Sequence, residues 1–271
     1  MPLGARLGAP AVVQPLLHSL IWRIVGWPEK PQGSGMKIFL AVVGLAVAGA
    51  LGAAEPAVAA SAAAPLPAFT RTLYLVRHGN YDDARKGDEE VVNGLTPLGI
   101  AQARLVAARL GGMPVKFTSL TSSTMTRARQ TAGVVNQSLP GLKLQTTPLL
   151  RECLPRTWRT EVTRGKSPAE LEAAEAQLNA AFAKYFVPAK DADQDDILVC
   201  HGNVIRYLVT KALGVDTRAW LGMSVAHCSL TIIQVNAQGG CKVLAVGDAG
   251  HIPANLVSGL VSGRDKQLVA P

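Results

Sequence analysis

The sequence predicts a three-layer α/β/α domain built on a mostly parallel central sheet. Three observations carry that prediction. Apolar runs at 72–76 and 197–200 are short enough for strands and show no strict alternation, as in strands buried on both faces. Helix-patterned segments separate the strands, the order expected of a sheet covered by helices on both sides. Each apolar run leads straight to a His-Gly pair, at the sheet edge where open α/β folds bind ligands.

The elements follow in order. Residues 72–76 form the first strand and run into Arg77-His78-Gly79. Thr96-Pro97 opens a helix with Thr as N-cap and Pro in the first turn. Leu98, Ala101, Leu105 and Ala108 are expected along its buried face, and Gly111-Gly112 end it. A second strand is expected at 115–120, and Ser122-Ser123-Thr124 is expected to cap a helix carrying Arg127, Ala128 and Thr131. A weak strand at 142–146 and a long helix at 168–186 come next. The strand at 197–200 ends in His201-Gly202-Asn203, and Val204, Ile205, Leu208, Val209 and Ala212 mark the buried stripe of the following helix. Alternating runs at 229–236 and 241–246, joined by Ala237-Gln238-Gly239-Gly240, close the domain as a hairpin. With facing positions summing to 477, Cys241 opposes Asn236 and Cys228 opposes Ala249. The four cysteines (Cys153, Cys200, Cys228, Cys241) are therefore expected as free or buried thiols.

Composition bounds the function. The 271 residues can bury a real core, and the net charge of +8 points to anionic partners. With 5% aromatic residues and no basic run, nucleic acid is a poor partner, and phosphate-sized anions fit better. No H-x-x-x-H, H-E-x-x-H or C-x-x-C spacing occurs, so no metal and no cofactor is expected.

Residues 1–67 hold only six charged side chains and read apart from the domain. Residues 1–35 are expected to be an upstream mis-start, with Met36 as the first residue. Met36-Lys37, the uncharged run at 38–54 and Ala-Val-Ala at 57–59 read as a signal peptide cut before Ala60. An Ala/Pro-rich linker completes 36–67, and 68–271 is the folded domain. This predicts an exported, periplasmic protein, with an N-terminal membrane anchor as the alternative.

The candidate site gathers at the carboxyl edge of the sheet. His78 and His201 follow apolar strands, Arg77 adjoins His78, Arg127 opens a helix, and Glu152 follows Leu149-Leu150-Arg151. Two guanidinium groups, two imidazoles and a carboxyl suit phosphoryl transfer, where positioning and charge neutralisation do most of the work. Asn203 joins Arg77, Arg127 and His201 as a substrate-binding candidate. Glu89, Glu90 and the acids of 191–196 are read as solvated loop charges; His227 and Trp220 are read as core or surface residues, with a place bordering the pocket as the alternative. Arg156, Arg159, Arg164 and Lys166 are expected to form a basic rim.

These motifs resemble the histidine phosphatase (phosphoglycerate mutase-like) superfamily. The resemblance rests on Leu75-Val76-Arg77-His78-Gly79, Leu95-Thr96-Pro97-Leu98-Gly99 with Gln102-Ala103, the run at 123–132, Leu150-Arg151-Glu152 and the run at 199–206, all in the family's order. Within it, the segments at 125–128, 138–141, 201–209 and 247–250 look most like a membrane-anchored protein serine/threonine phosphatase. The resemblance implies that His78 is the phosphorylated histidine, that Arg77, Arg127 and His201 hold the phosphoryl group, and that Glu152 is the proton donor. Tyr81-Asp82-Asp83-Ala84 lacks an Asn that many phosphoglycerate mutases carry there, and 153–167 does not match the animal phosphatase closely. The expected activity is hydrolysis of phosphomonoesters, in small molecules or phosphoproteins, through phosphohistidine. A mutase and a non-catalytic phosphoprotein-binding scaffold are the alternatives.

Overall fold

The computed structural model describes residues 69–84 and 86–260. The expectations for 1–35 and 36–67 lie outside the described residues, as do the last eleven positions of the expected 68–271 domain. Among the described residues no helix is long and apolar enough to cross a membrane.

Among the described residues six strands form one sheet: β1 (Arg71–Arg77), β2 (Ser119–Ser123), β3 (Leu144–Thr147), β4 (Gln194–Cys200), β5 (Leu230–Val235) and β6 (Cys241–Asp248), in spatial order β3-β2-β4-β1-β5-β6. The pairs β1–β4, β2–β4 and β2–β3 are parallel, whereas β5 and β6 extend the sheet antiparallel. Four helices cover it: α1 (Pro97–Gly111), α2 (Thr126–Ser138), α3 (Pro168–Tyr185) and α4 (Gly202–Ala212). Successive residues of β1 divide between two cores, as the two-residue repeat of a strand requires. Leu73 and Leu75 pack with Leu178 of α3 and Val204, Ile205 and Leu208 of α4. Tyr74 and Val76 pack with Val106 and Leu110 of α1 and Ala128 and Val135 of α2. The three layers are thus as expected.

Local termini follow the sequence where side chains supply the missing bonds. The Thr96 hydroxyl accepts from the Gly99 N–H at the start of α1. At the start of α3, Ser167 and Glu170 form a reciprocal capping box.

Several expectations need correction. The buried face of α1 is Gly99, Gln102, Ala103, Val106, Ala107 and Leu110, one position on from the face expected. The cause is a close crossing: a Cβ on Gly99 would lie 1.9 Å from the Asn80 carbonyl oxygen, so the helix meets the loop after β1 through a glycine. The second strand starts at Ser119 and absorbs Ser122 and Ser123, whose hydroxyls find partners inside the fold. Met125, not the serine cluster, is the N-cap of α2, and no side chain caps it. β4 begins at Gln194, so Asp195 and Asp196 are strand residues rather than loop acids. Asp196 is buried, paired with Arg71 at 2.9 Å and accepting from the hydroxyls of Thr118 and Ser119. In the hairpin Val235 faces Cys241, and irregularities shift the register so that Ile232 faces Ala245 and Leu230 faces Asp248. The sum of 477 holds only midway along it. All four cysteines are free.

Candidate active site

The parallel strands β1, β2, β3 and β4 all end at one edge, and each delivers part of a single cluster. β1 ends at Arg77 and β4 at Cys200, and the His78 N–H donates to the Cys200 carbonyl at 2.9 Å, tying the two ends together. The His78 and His201 rings lie 4.9 Å apart, tilted by 58°. β2 leads to Arg127 in the first turn of α2, and the loop after β3 carries Glu152. Gln177 of α3 holds that loop, donating to the carbonyls of Leu149 and Arg151.

His78 is buried, and its Nδ1 lies 2.8 Å from the Gly79 carbonyl oxygen. A carbonyl can only accept, so Nδ1 carries the proton and Nε2 keeps its lone pair. Arg127 donates its Nε to that Nε2 at 3.3 Å. Burial first, then the positive neighbours, hold His78 well below the usual histidine range, so it is neutral at pH 7. His201 is pushed down in the same way, by burial and then by Arg127 and Arg77. Its Nε2 lies 2.8 Å from the Ser123 hydroxyl, and its Nδ1 is buried without a partner.

Arg77 donates through Nη1 to the carbonyls of Val225 at 2.7 Å and Gly259 at 2.6 Å, leaving Nε buried and unpartnered. Burial lowers its pKa to about 10, which still leaves it cationic at pH 7. Glu152 has one carboxyl oxygen shut off from water with no partner. Burial raises it from an ordinary 4.5 to about 7, against the downward pull of Arg77, Arg127 and Arg206. A carboxyl poised there can give and take a proton at neutral pH. Asn203 donates to the Cys153 carbonyl at 3.1 Å and lines a hollow of about 590 Å³ with Glu152, Leu154, Lys166 and Gln177.

Four residues escaped the sequence reading. Arg206, one helical turn past Gly202, is buried and donates to Asn203 Oδ1 at 3.3 Å. It stands off the apolar stripe expected for that helix, so nothing in the sequence signalled its burial. Glu89 is part-exposed but not a lone loop charge: its carboxylate sits 2.5 Å from Arg127 Nη1. Glu90 likewise pairs with Arg151 and accepts from the Thr124 hydroxyl. His227 is a site residue, its ring 5.3 Å from that of His78 and 6.3 Å from that of Tyr81. It precedes a strand, so the sequence offered a place beside the pocket only as the alternative to a core or surface role. Antiparallel β5 does so, because Leu230 pairs with Val76. Trp220 is a core residue, as expected. The expected basic rim is largely neutralised: Arg156 pairs with Glu175, Arg159 with Glu161 and Lys166 with Glu170. Among the described residues no cluster of His, Cys, Asp and Glu has the arrangement to hold a metal ion.

The family described as histidine phosphatase superfamily, branch 1, matches residues 73–186 and 155–249. The chain is similar to the serine/threonine-protein phosphatase Pgam5, mitochondrial, of Caenorhabditis elegans, 38% identical over 200 residues, covering 70% of this chain and 66% of that protein. It is similar to the protein of the same name in Xenopus tropicalis, 35% identical over 196 residues, covering 71% and 69%. For that in Homo sapiens the identity is 34% over 194 residues, covering 70% and 66%. The chain spans about two thirds of the length of these curated relatives. Its fold matches a phosphoglycerate mutase from Bacillus anthracis, 21% identical, TM-score 0.54, covering 68% of this chain and 96% of that one. It also matches an alpha-ribazole phosphatase from Shigella flexneri, 18% identical, TM-score 0.51, covering 70% and 100%. The expectation of an exported, periplasmic protein with a signal peptide is overturned, since these relatives are named mitochondrial. The basic start and apolar run that prompted that expectation lie outside the described residues.

Proposed function

The chain belongs to the histidine phosphatase superfamily, branch 1, and from that premise we propose that it hydrolyses phosphomonoesters, protein serine/threonine phosphates among them, through a phosphohistidine at His78. The observation that carries this reading is the orientation of His78: Nδ1–H held by the Gly79 carbonyl, with the Nε2 lone pair turned to Arg127. A neutral imidazole fixed in that tautomer is a nucleophile at neutral pH.

In the first step His78 Nε2 attacks phosphorus, forming the P–N bond as the P–O bond to the leaving group breaks. The Glu152 carboxyl gives its proton to the departing alkoxide. Arg77 and Arg127 offset the charge of the phosphoryl oxygens and His201 hydrogen-bonds them, in a largely buried site. Arg forks suit phosphate oxygens because they are planar and permanently charged. In the second step the Glu152 carboxylate takes a proton from water, the oxygen attacks phosphorus and the P–N bond breaks, releasing inorganic phosphate and restoring His78. Asn203, on the wall of the hollow beside Glu152, borders the leaving group.

The test is labelling and turnover in parallel. Incubation with a labelled phosphomonoester should give an acid-labile phosphoprotein and release inorganic phosphate, and His78→Ala should lose both. Label that persists in His78→Ala overturns the nucleophile. A phosphoserine peptide assayed beside a small aryl phosphate decides whether protein phosphates are substrates.

A further inference from the structure

The segment after β6 returns across the sheet edge and reaches the catalytic cluster. Its anchor is Gln102 of α1, whose orientation is fixed at both ends. Gln102 Oε1 accepts from the Asn80 N–H at 2.9 Å, and Nε2 donates to the Leu256 carbonyl at 2.6 Å. The same Nε2 lies 2.8 Å from the Ser258 hydroxyl, so Ser258 Oγ is an acceptor there. Ser258 Oγ is also 3.0 Å from Nδ1 of His227, and the His227 N–H donates to the Ser258 carbonyl at 2.9 Å. Gly259 follows at φ +80°, with room for no side chain: a Cβ would sit 2.6 Å from His227 Nδ1 and 2.8 Å from Arg77 Nη1.

Gln102 takes one lone pair of Ser258 Oγ, which leaves its hydrogen and a second lone pair for the nitrogen it faces, Nδ1 of His227. When the hydroxyl gives that hydrogen to Nδ1, the ring proton sits on Nε2, which is buried and has no partner among the described residues. His227 as a whole is 6% exposed, and its ring faces that of His78. A buried donor with no acceptor is costly unless a ligand supplies one.

We propose that His227 is a further catalytic residue, donating Nε2–H to a phosphoryl oxygen, and that Ser258 is the positioning residue that fixes its tautomer. The C-terminal segment at 256–260 is then a working part of the active site. The inference rests on the phosphatase reading above, and it adds a second imidazole, beside that of His201, to the groups that hold the phosphoryl oxygens.

Two isosteric substitutions separate donation from packing. In His227→Asn the amide takes the place of Nδ1, keeping Ser258 satisfied and removing the donor at Nε2. In His227→Gln the amide nitrogen reaches the place of Nε2. Inhibition by inorganic phosphate and kcat/KM for an aryl phosphate are measured for both. His227→Asn should weaken phosphate binding and kcat/KM roughly ten- to a hundredfold, the loss of one charge-assisted hydrogen bond. His227→Gln should recover to within about threefold of wild type. Equal losses in the two variants, or a wild-type His227→Asn, overturn the proposal. In the wild-type protein, nitrogen NMR of His227 should show the proton on Nε2, and a proton on Nδ1 overturns it too. Phosphate binding is read without turnover, so a protein that binds phosphate through His227 yet hydrolyses nothing sinks the phosphatase reading and keeps this one.

Discussion

Arg127 donates its Nε to Nε2 of His78 at 3.3 Å, so in the absence of substrate the guanidinium caps the lone pair that would attack phosphorus. The same guanidinium is held from outside by Glu89 at 2.5 Å and lies over the Tyr81 ring at 4.5 Å. A phosphoryl group entering the site must take over both of these claims on Arg127.

Glu89→Gln should therefore lower KM. Arg127 is buried but Glu89 is 40% exposed, so the pair resists substrate only modestly. A fall in KM of about two- to fivefold with kcat little changed is expected. A raised KM would mean that Glu89 aligns Arg127 for substrate rather than competing with it.

The pH profile should separate leaving groups. Glu152, raised to about 7 by burial, carries its proton below that value and loses it above. For an alkyl phosphate, kcat/KM should fall as pH rises through about 7, since an alkoxide needs the proton. An aryl phosphate needs it less, and each profile is read after correction for that substrate's own second ionisation. Glu152→Gln should slow the alkyl ester far more than the aryl ester. Equal losses on the two would remove the acid role.

Glu152 should also cost stability at alkaline pH. Its folded pKa lies near 7 and its unfolded value near 4.5, so the folded state binds more protons between them. Stability from this group is full below 4.5 and declines as pH rises to about 7. Relative to wild type, Glu152→Gln should gain up to roughly 3 kcal/mol at pH 8 and little at pH 4. Urea midpoints of the two proteins at both values test this, and a gain confined to acid pH would reverse the sign.

At the opposite sheet edge, Asp196→Ala should destabilise without disabling. It strips Arg71 and the hydroxyls of Thr118 and Ser119 of a buried acceptor. A loss of about 3 kcal/mol in urea unfolding is expected. The folded fraction should keep its kcat, because these groups lie at the amino ends of β1 and β4, away from His78.

Taken alone, the sequence determined the layered fold and named five candidate site residues: His78, Arg77, Arg127, Glu152 and His201. Arg77 ends a strand of the parallel part of the sheet and the others follow one, and parallel strands necessarily end at one edge. Apolar runs marked β1 and the second half of β4, and local chemistry at Thr96 and Ser167 fixed where helices begin. Only the tertiary structure decided the rest. His227 comes before a strand and reaches the cluster because β5 runs antiparallel beside β1. Ser258 and Gly259 arrive through contacts with Gln102 and Arg77 across more than 150 residues of chain. Glu89 and Asp196 read as solvated charges until folding put a guanidinium against each. The buried face of α1 moved by one position to let Gly99 pass the Asn80 carbonyl. Periodicity and caps act between neighbours in sequence, whereas pairings of charge, hydroxyl and backbone exist only once distant segments meet.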